Sequence, residues 1–204
     1  MTDSFTTSYE SIGSTSTSLL ERVKAQDQDA WQRLVRLYGR LVLHWCRTSG
    51  LQPADRADVF QEVFRAVDSG IGEFRRDRPG DSFRGWLRTV TRSKVLDHFR
   101  RQGRETPGAG GSEAYERLQA YPEAGAQSDA GVESIERTLL LREALGLIEA
   151  DFEERTWRAF WRTTADGIST AAVADELGMT PAAVRQAKSR VLRRLREETE
   201  GLIE

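Results

Sequence analysis

The stretch that most constrains the fold of this chain is residues 167–198, GISTAAVADELGMTPAAVRQAKSRVLRRLREE. Ser169 is suited to cap a short helix, and Gly178 to end that helix in the left-handed conformation. Thr180 can cap a second helix that has Pro181 at its first position, where no N–H is needed. Short helix, glycine turn and longer helix together predict a helix-turn-helix. Its buried side is expected to contain Ile168, Val173, Leu177, Val184, Val191 and Leu195.

The second helix of this motif is strongly basic. Between Pro181 and Arg196 it carries six cations and no acid. Cations attract phosphates whatever the base sequence, and the exposed N-terminal half of such a helix can enter a major groove. Arginine pairs with guanine and glutamine with adenine. The alternative is a solvated basic helix in a partner-binding bundle, but cap, turn, core spacing and charge agree on DNA binding. The groove-facing candidates are Ala182, Ala183, Arg185, Gln186 and Ser189.

The remaining chain is predicted to be all-helical, because apolar residues recur at three- and four-residue spacings and no alternating β-branched run occurs. Residues 1–18 are rich in Ser and Thr and are expected to form a disordered tail. Residues 19–102 are expected to form a first helical bundle. Residues 103–137, rich in Gly, Ala, Pro and acids, are expected to form a flexible linker, and residues 138–204 a second bundle.

Composition removes several classes of function. The single cysteine, Cys46, excludes an internal disulfide and a multi-cysteine zinc site. His44 lies two residues from Cys46, so the two do not share a helix face, and an enzyme is disfavoured. No cofactor or metal is expected. Without a signal-peptide pattern or a run of roughly 18 apolar residues, we expect a cytoplasmic protein.

The basic stretch FRGWLRTVTRSKVLDHFRR, Phe83–Arg101, is expected to be one helix that begins at the cap residue Ser82. Its apolar residues fall on two nearly opposite sides. The helix is therefore either buried on different sides along its length or bent near Thr91. We expect its aromatic residues, including Trp86, to be core anchors. A separate stripe of Arg84, Arg88 and Arg92 is expected to be left uncovered by the first half of the helix.

The order of these segments resembles the sigma-70 family. A helix with the pattern D-x-x-D-x-x-Q-E-x-F (55–64) precedes a Gly/Pro loop. F-x-x-W-L (83–87) then opens a basic helix, and a linker and a helix-turn-helix follow. The short chain resembles the extracytoplasmic-function (ECF) group, which keeps only conserved regions 2 and 4. The resemblance covers residues 19–102 and 138–198, and its specificity comes from the ordered set of motifs.

The resemblance implies a promoter-specificity sigma factor with three binding surfaces. A face of Asp55, Asp58, Gln61 and Glu62 would dock on the clamp-helix coiled coil of the largest subunit of core RNA polymerase. The loop before Phe83 and the arginine stripe would hold the −10 promoter element as an opened strand, through Arg75, Arg76, Arg78, Asp81, Ser82, Arg84, Arg88 and Arg92. The helix-turn-helix would bind the duplex −35 element through Thr180, Ala182, Ala183, Arg185, Gln186, Lys188, Ser189, Arg190 and Arg193.

Two departures and one alternative accompany this interpretation. The family often has an apolar residue where this chain has Lys188, so we expect Ala187, Val191 and Leu192 to complete the core. The loop EFRRDRPGD is unusually rich in arginine, so no promoter preference carries over. The alternative is a helix-turn-helix regulator with an N-terminal sensor or dimerisation bundle that acts without polymerase. An anti-sigma factor is a partner that the resemblance also allows.

Overall fold

The computed structural model describes residues 19–75, 77, 81–105 and 130–199, with only the backbone of residues 103–105 and 130. Every regular element in these ranges is helical, as the sequence predicts, and they contain no strand. The expected tail, 1–18, lies outside them. The α-helices are α1 (Leu19–Lys24), α2 (Gln28–Thr48), α3 (Pro53–Gly70), α4 (Phe83–Glu105), α5 (Ala130–Ile148), α6 (Glu154–Thr164), α7 (Thr170–Leu177) and α8 (Pro181–Thr199), with a 3-10 turn at Glu149–Asp151.

A local cap separates α1 from α2. Gln26 has a φ of 63°, which turns the chain out of the first helix. The Asp27 carboxylate then accepts hydrogen bonds from the backbone N–H groups of Asp29, at 3.0 Å, and Ala30, at 3.1 Å. An aspartate at this position satisfies N–H groups that have no partner within the helix.

Helices α2, α3 and α4 enclose the main core. Tyr38, Leu34 and Leu41 of α2 are fully buried in it. The Tyr38 ring meets Phe83 edge-on at 4.9 Å between ring centroids, and Phe83 lies 5.7 Å from Phe74 of the loop. This aromatic contact fixes the loop's buried end against the start of α4.

Helix α4 is buried along a line that winds around it. The buried side chains recur every four residues. A step of four residues turns an α-helix by about 40° more than one full turn, so the line drifts to nearly the opposite side over its length. Of the two expected alternatives, a helix covered on different sides or one bent near Thr91, the buried line supports the first. The line consists of Phe83, Leu87, Thr91, Val95 and Phe99.

The expected linker ends earlier than the sequence analysis placed it. Residues 130–137 belong to helix α5, which packs along α2. Leu140 and Ala144 of α5 are fully buried in the same core as α2, α3 and α4. Apolar residues spaced four apart explain this, because they place one stripe of α5 against the first bundle.

The C-terminal helices α6, α7 and α8 form two smaller cores. Val173, Val184 and Ala187 bury the helix-turn-helix interior, and Phe160 and Val191 pack with Ile148 at the end of α5. No helix in the described ranges is both long enough and apolar enough to span a bilayer.

Candidate nucleic-acid and partner-binding surfaces

The acidic face of α3 contains two exposed side chains and two engaged carboxylates. Asp58 and Gln61 are exposed, and the Gln61 Oε1 accepts a hydrogen bond from Arg65 at 3.0 Å. Both carboxylate oxygens of Glu62 accept hydrogen bonds from Nη2 of Arg101 in α4, at 2.9 and 2.7 Å. That hydrogen bond holds the pKa of Glu62 below its ordinary range.

The fourth residue of this face, Asp55, is half-buried. Its Oδ2 lies 3.5 Å from Nε2 of His98. Of the four residues expected to dock on polymerase, only Asp58 and Gln61 thus point into solvent as the chain stands. Both engaged carboxylates have their partners on α4, which ties the acidic face to the rigid position of that helix.

Beside this face runs a groove that the sequence analysis did not single out. It has a volume of about 480 Å³ and lies between the connection from α1 to α2, the start of α2 and the C-terminal half of α3. Trp31 packs edge-on against Phe64 in it, at 6.1 Å between ring centroids. Phe60 and Gln61 line the same groove, so it continues the expected polymerase-binding face with apolar surface.

The loop before α4 keeps its first arginine exposed. Arg75 donates hydrogen bonds to the carbonyl oxygens of Gly72, at 2.7 Å, and Phe74, at 3.0 Å, and this holds the loop's own backbone. Asp81 is exposed. The Ser82 hydroxyl accepts from the Gly85 N–H at 3.1 Å, which confirms the expected cap. Arg76 and Arg78 lie outside the described residues.

The arginine stripe of α4 is covered, and the expectation that α4 leaves it uncovered is wrong. Arg84 lies 3.4 Å from the carboxylate of Glu133 and 3.9 Å from that of Glu136, and Arg88 lies 3.4 Å from Glu136. Arg92 is half-buried. The cause is the packing of α5, whose carboxylates face these cations. The role of the stripe in holding DNA stays a prediction.

Trp86 supports its expected role as an anchor. Its side chain is half-buried, and its ring packs at 5.3 Å from Phe74 and 5.6 Å from Phe83. Gly70 lets the Trp86 ring pack close to the backbone, because a Cβ at position 70 would lie only 3.4 Å from that ring. The indole therefore supports the loop rather than standing out from it.

The helix-turn-helix has the local geometry that its sequence predicts. The Ser169 hydroxyl accepts from the Ala172 N–H at 3.3 Å, and the Thr180 hydroxyl from the Ala183 N–H at 3.1 Å. Gly178 has a φ of 58°, the left-handed conformation expected at the end of α7. The Arg155 guanidinium donates to the Gly178 carbonyl, which ties the turn to α6.

Helix α8 presents its basic side to solvent. Ala187 and Val191 are buried and Leu192 is half-buried, which confirms how the core is completed around Lys188. Ala183 and Lys188 are half-buried. The other residues expected to contact DNA are all exposed, namely Thr180, Ala182, Arg185, Gln186, Ser189, Arg190 and Arg193.

Helix α6 has an apolar face that is only partly covered by its neighbours. Trp157, Phe160 and Trp161 of α6 share an apolar face, yet only Phe160 is buried, and Trp161 is 43% exposed. The Trp161 ring lies 6.3 Å from that of Trp157, and the two indoles flank a groove between α5 and α6. Helical spacing accounts for the shared face, and α5 leaves part of it open to solvent.

Within the described ranges, no group of histidine, cysteine and acidic side chains is arranged to hold a metal ion. The surfaces that this arrangement exposes are part of an acidic face on α3 and the basic side of α8.

Comparison with known proteins gives one family match. The model of the sigma-70 region 2 family matches residues 34–105, which include most of α2 and all of α3 and α4. No curated protein matches the chain. A solved structure of CnrH in complex with the cytosolic domain of CnrY is similar over 87% of this chain and 92% of that chain, with 20% identity and a TM-score of 0.35. Residues 34–105 are therefore similar to sigma-70 region 2, the part of the sigma-70 family that this family model describes.

Proposed function

We propose that this protein is a promoter-specificity sigma factor of the ECF type. It binds core RNA polymerase, recognises −35 and −10 promoter elements and helps to open the DNA for transcription initiation. The observation that carries the proposal is the order along the chain. A segment that matches sigma-70 region 2 at 34–105 is followed by a helix-turn-helix whose two helices both begin at capping side chains and whose second helix is basic and exposed.

The protein performs no covalent chemistry in this proposal, and its work is done by binding. Docking on polymerase places the two DNA-binding parts a fixed distance apart. The helix-turn-helix holds duplex DNA, while the loop and α4 hold one separated strand. Capture of an unstacked base costs a few kcal/mol. Phosphate and base contacts offset that cost, so strand binding drives melting.

The polymerase-binding surface is proposed to centre on Asp58 and Gln61, supported by their exposure on the matched domain. Asp58→Arg should weaken capture of core polymerase at least about tenfold, since it replaces an attraction by a like-charge repulsion. Glu153→Arg is the matched control, because Glu153 is exposed and caps no N–H group of α6. Equal capture by wild type and Asp58→Arg would remove this residue from the docking surface.

The −35 surface is proposed to be the exposed side of α8. Arg185→Ala and Gln186→Ala should each reduce transcription from the cognate promoter. Each should weaken promoter binding by roughly 1–3 kcal/mol, the energy of a side chain paired with a base edge. Arg193→Ala is the control for a general phosphate contact and should weaken binding to all sequences alike. Unaltered promoter choice in the first two variants would move base recognition elsewhere on the helix.

The core experiment is transcription by purified core polymerase with and without the protein. A sigma factor directs initiation at defined promoters only in the presence of core enzyme. A regulator that acts without polymerase would instead bind one duplex operator tightly by itself. The proposal places the protein with polymerase in the cytoplasm, and an anti-sigma factor remains among its proposed partners.

A further inference from the structure

Helix α5 sits on the arginine stripe with its acidic side. Glu136 is 2% exposed, and its carboxylate accepts a hydrogen bond from the Trp45 indole N–H at 2.7 Å. Arg88 lies 3.4 Å from the same carboxylate and Arg84 lies 3.9 Å from it. A buried carboxylate is stable only when it is paired and hydrogen-bonded. Glu136 is thus held in a site that the first bundle provides for an anion.

Glu133 extends this contact by one helical turn. Its carboxylate lies 3.4 Å from Arg84, at a more exposed position than Glu136. Residues three apart lie on the same side of a helix. Two carboxylates of α5 therefore face two guanidinium groups of α4.

The same charge pattern recurs along α2. Glu143 of α5 pairs with Arg40 at 2.7 Å, and Glu198 of α8 pairs with Arg33 at 2.5 Å. In each pair the acid comes from the C-terminal half and the arginine from the N-terminal half. The Glu198 hydrogen bond raises the pKa of Arg33 above its ordinary value. In all, four carboxylates of the C-terminal half pair with four arginines of the N-terminal half. These pairs surround the apolar contact that Leu140 and Ala144 make with the first bundle.

We propose that helix α5 is a built-in competitor of DNA. Glu133 and Glu136 occupy Arg84 and Arg88 in the unbound protein, and these arginines become available to a DNA strand only when α5 leaves α4. This inference rests on the proposed function, because that function makes the stripe a DNA-binding surface. Carboxylates and phosphates compete for guanidinium groups because both are anions that accept its N–H donors.

The competition lowers DNA affinity by a simple factor. The apparent dissociation constant equals the intrinsic one divided by the fraction of molecules in which α5 has left the stripe. Any change that weakens the packing of α5 raises that fraction and tightens DNA binding. Docking on polymerase, if it draws the halves apart, acts in the same direction. Promoter binding is thereby coupled to assembly with the enzyme.

The test removes the two charges without removing the side chains. Glu133→Gln/Glu136→Gln keeps an oxygen that can accept from Trp45, but it loses both carboxylate charges. Glu149→Gln/Glu153→Gln is the matched control, with the same change in net charge at exposed positions outside the contact. The full-length proteins are titrated against a fluorescein-labelled single-stranded DNA of mixed sequence, about 20 nucleotides long, at salt between roughly 50 and 200 mM.

We expect the variant at Glu133 and Glu136 to bind this strand about threefold to tenfold more tightly than wild type and than the control variant. Its affinity should also fall more steeply with salt, by about 0.7 in the log–log slope for each additional phosphate that the freed arginines neutralise. Adding Arg84→Gln/Arg88→Gln to this variant should abolish the tighter binding. Affinity equal to that of the control, or tighter binding that survives loss of the arginines, overturns the proposal.

A single substitution guards against loss of folding. Glu133→Gln leaves the buried Glu136 in place and should tighten binding by a smaller factor; unchanged affinity in this variant counts against the competition. Because no polymerase enters this assay, its outcome separates from that of the proposed function. Tighter strand binding without promoter-directed transcription would sink the sigma-factor role alone. Unchanged strand binding with normal transcription would sink the competition alone.

Discussion

Replacing Leu140 by alanine tests whether α5 belongs to the N-terminal core. Leu140 is fully buried beside α2, although the sequence places it only three residues beyond the expected linker. If α5 is packed as described, the substitution leaves a cavity between α5 and the first bundle. If residues 130–148 are loosely attached in solution, the same substitution removes nothing from a core.

The expected cost follows from the atoms removed. Leucine to alanine deletes about three carbon groups, each worth about 0.8 kcal/mol when buried, which gives about 2.4 kcal/mol. The unfilled cavity adds to this, and measured costs for such changes lie at about 2–5 kcal/mol. We therefore expect the free energy of unfolding to fall by about 3 kcal/mol.

The assay is urea unfolding followed by circular dichroism at a helix-sensitive wavelength. Leu141→Ala is the matched control, since the neighbouring leucine is 36% exposed and undergoes the same chemical change in the same helix. We expect the control to cost less than about 1 kcal/mol. The denaturant dependence of both variants should match wild type, because neither substitution alters how much surface unfolds.

Equal, small losses for Leu140→Ala and Leu141→Ala would refute the packing of α5. That result would also remove the basis for a covered arginine stripe. A loss at Leu140 several times that at Leu141 supports both.

Three further predictions concern single residues. Glu62→Gln should cost up to about 1 kcal/mol near neutral pH. Arg101 lowers the pKa of Glu62 in the folded state, so the stabilisation by the Glu62 carboxylate is present above the ordinary glutamate range and is lost as pH falls through the lowered pKa. Urea unfolding of wild type and Glu62→Gln across that pH range checks this. A difference in the free energy of unfolding that does not change with pH contradicts it. Gly178→Ala should destabilise the protein by about 1–2 kcal/mol, because φ is 58°. Gly146→Ala, in open space on helix α5, should stabilise it by about 0.5–1 kcal/mol. Thermal unfolding of the two glycine variants tests these values. Equal shifts of the melting temperature in Gly178→Ala and Gly146→Ala would contradict the left-handed conformation of Gly178.

The helix-turn-helix could be predicted in detail from sequence because its determinants are local. Ser169, Gly178 and Thr180 act within three residues of their own positions, through caps and a single backbone conformation. The buried side of α8 followed from helical spacing alone. For α4, the sequence predicted burial on different sides or a bend near Thr91, because its apolar residues could not share one side of a straight helix.

The covered arginine stripe could not be predicted in the same way. It depends on Arg88 meeting Glu136, a pairing that no local pattern fixes. A signal was present, because Glu133, Glu136, Leu140 and Ala144 follow helical spacing. The glycine- and alanine-rich composition before them led to a linker boundary that was placed too late. Local composition does not show where a distant contact packs a helix against an earlier part of the chain.

Run-off transcription with purified core RNA polymerase on a genomic promoter library tests the central claim most directly. We expect the protein to direct initiation at a discrete set of promoters that share a −35 and a −10 element at fixed spacing, and core enzyme alone to give none of these transcripts. A core enzyme that responds to another sigma factor, but yields no transcript that depends on this protein, would contradict the sigma-factor role.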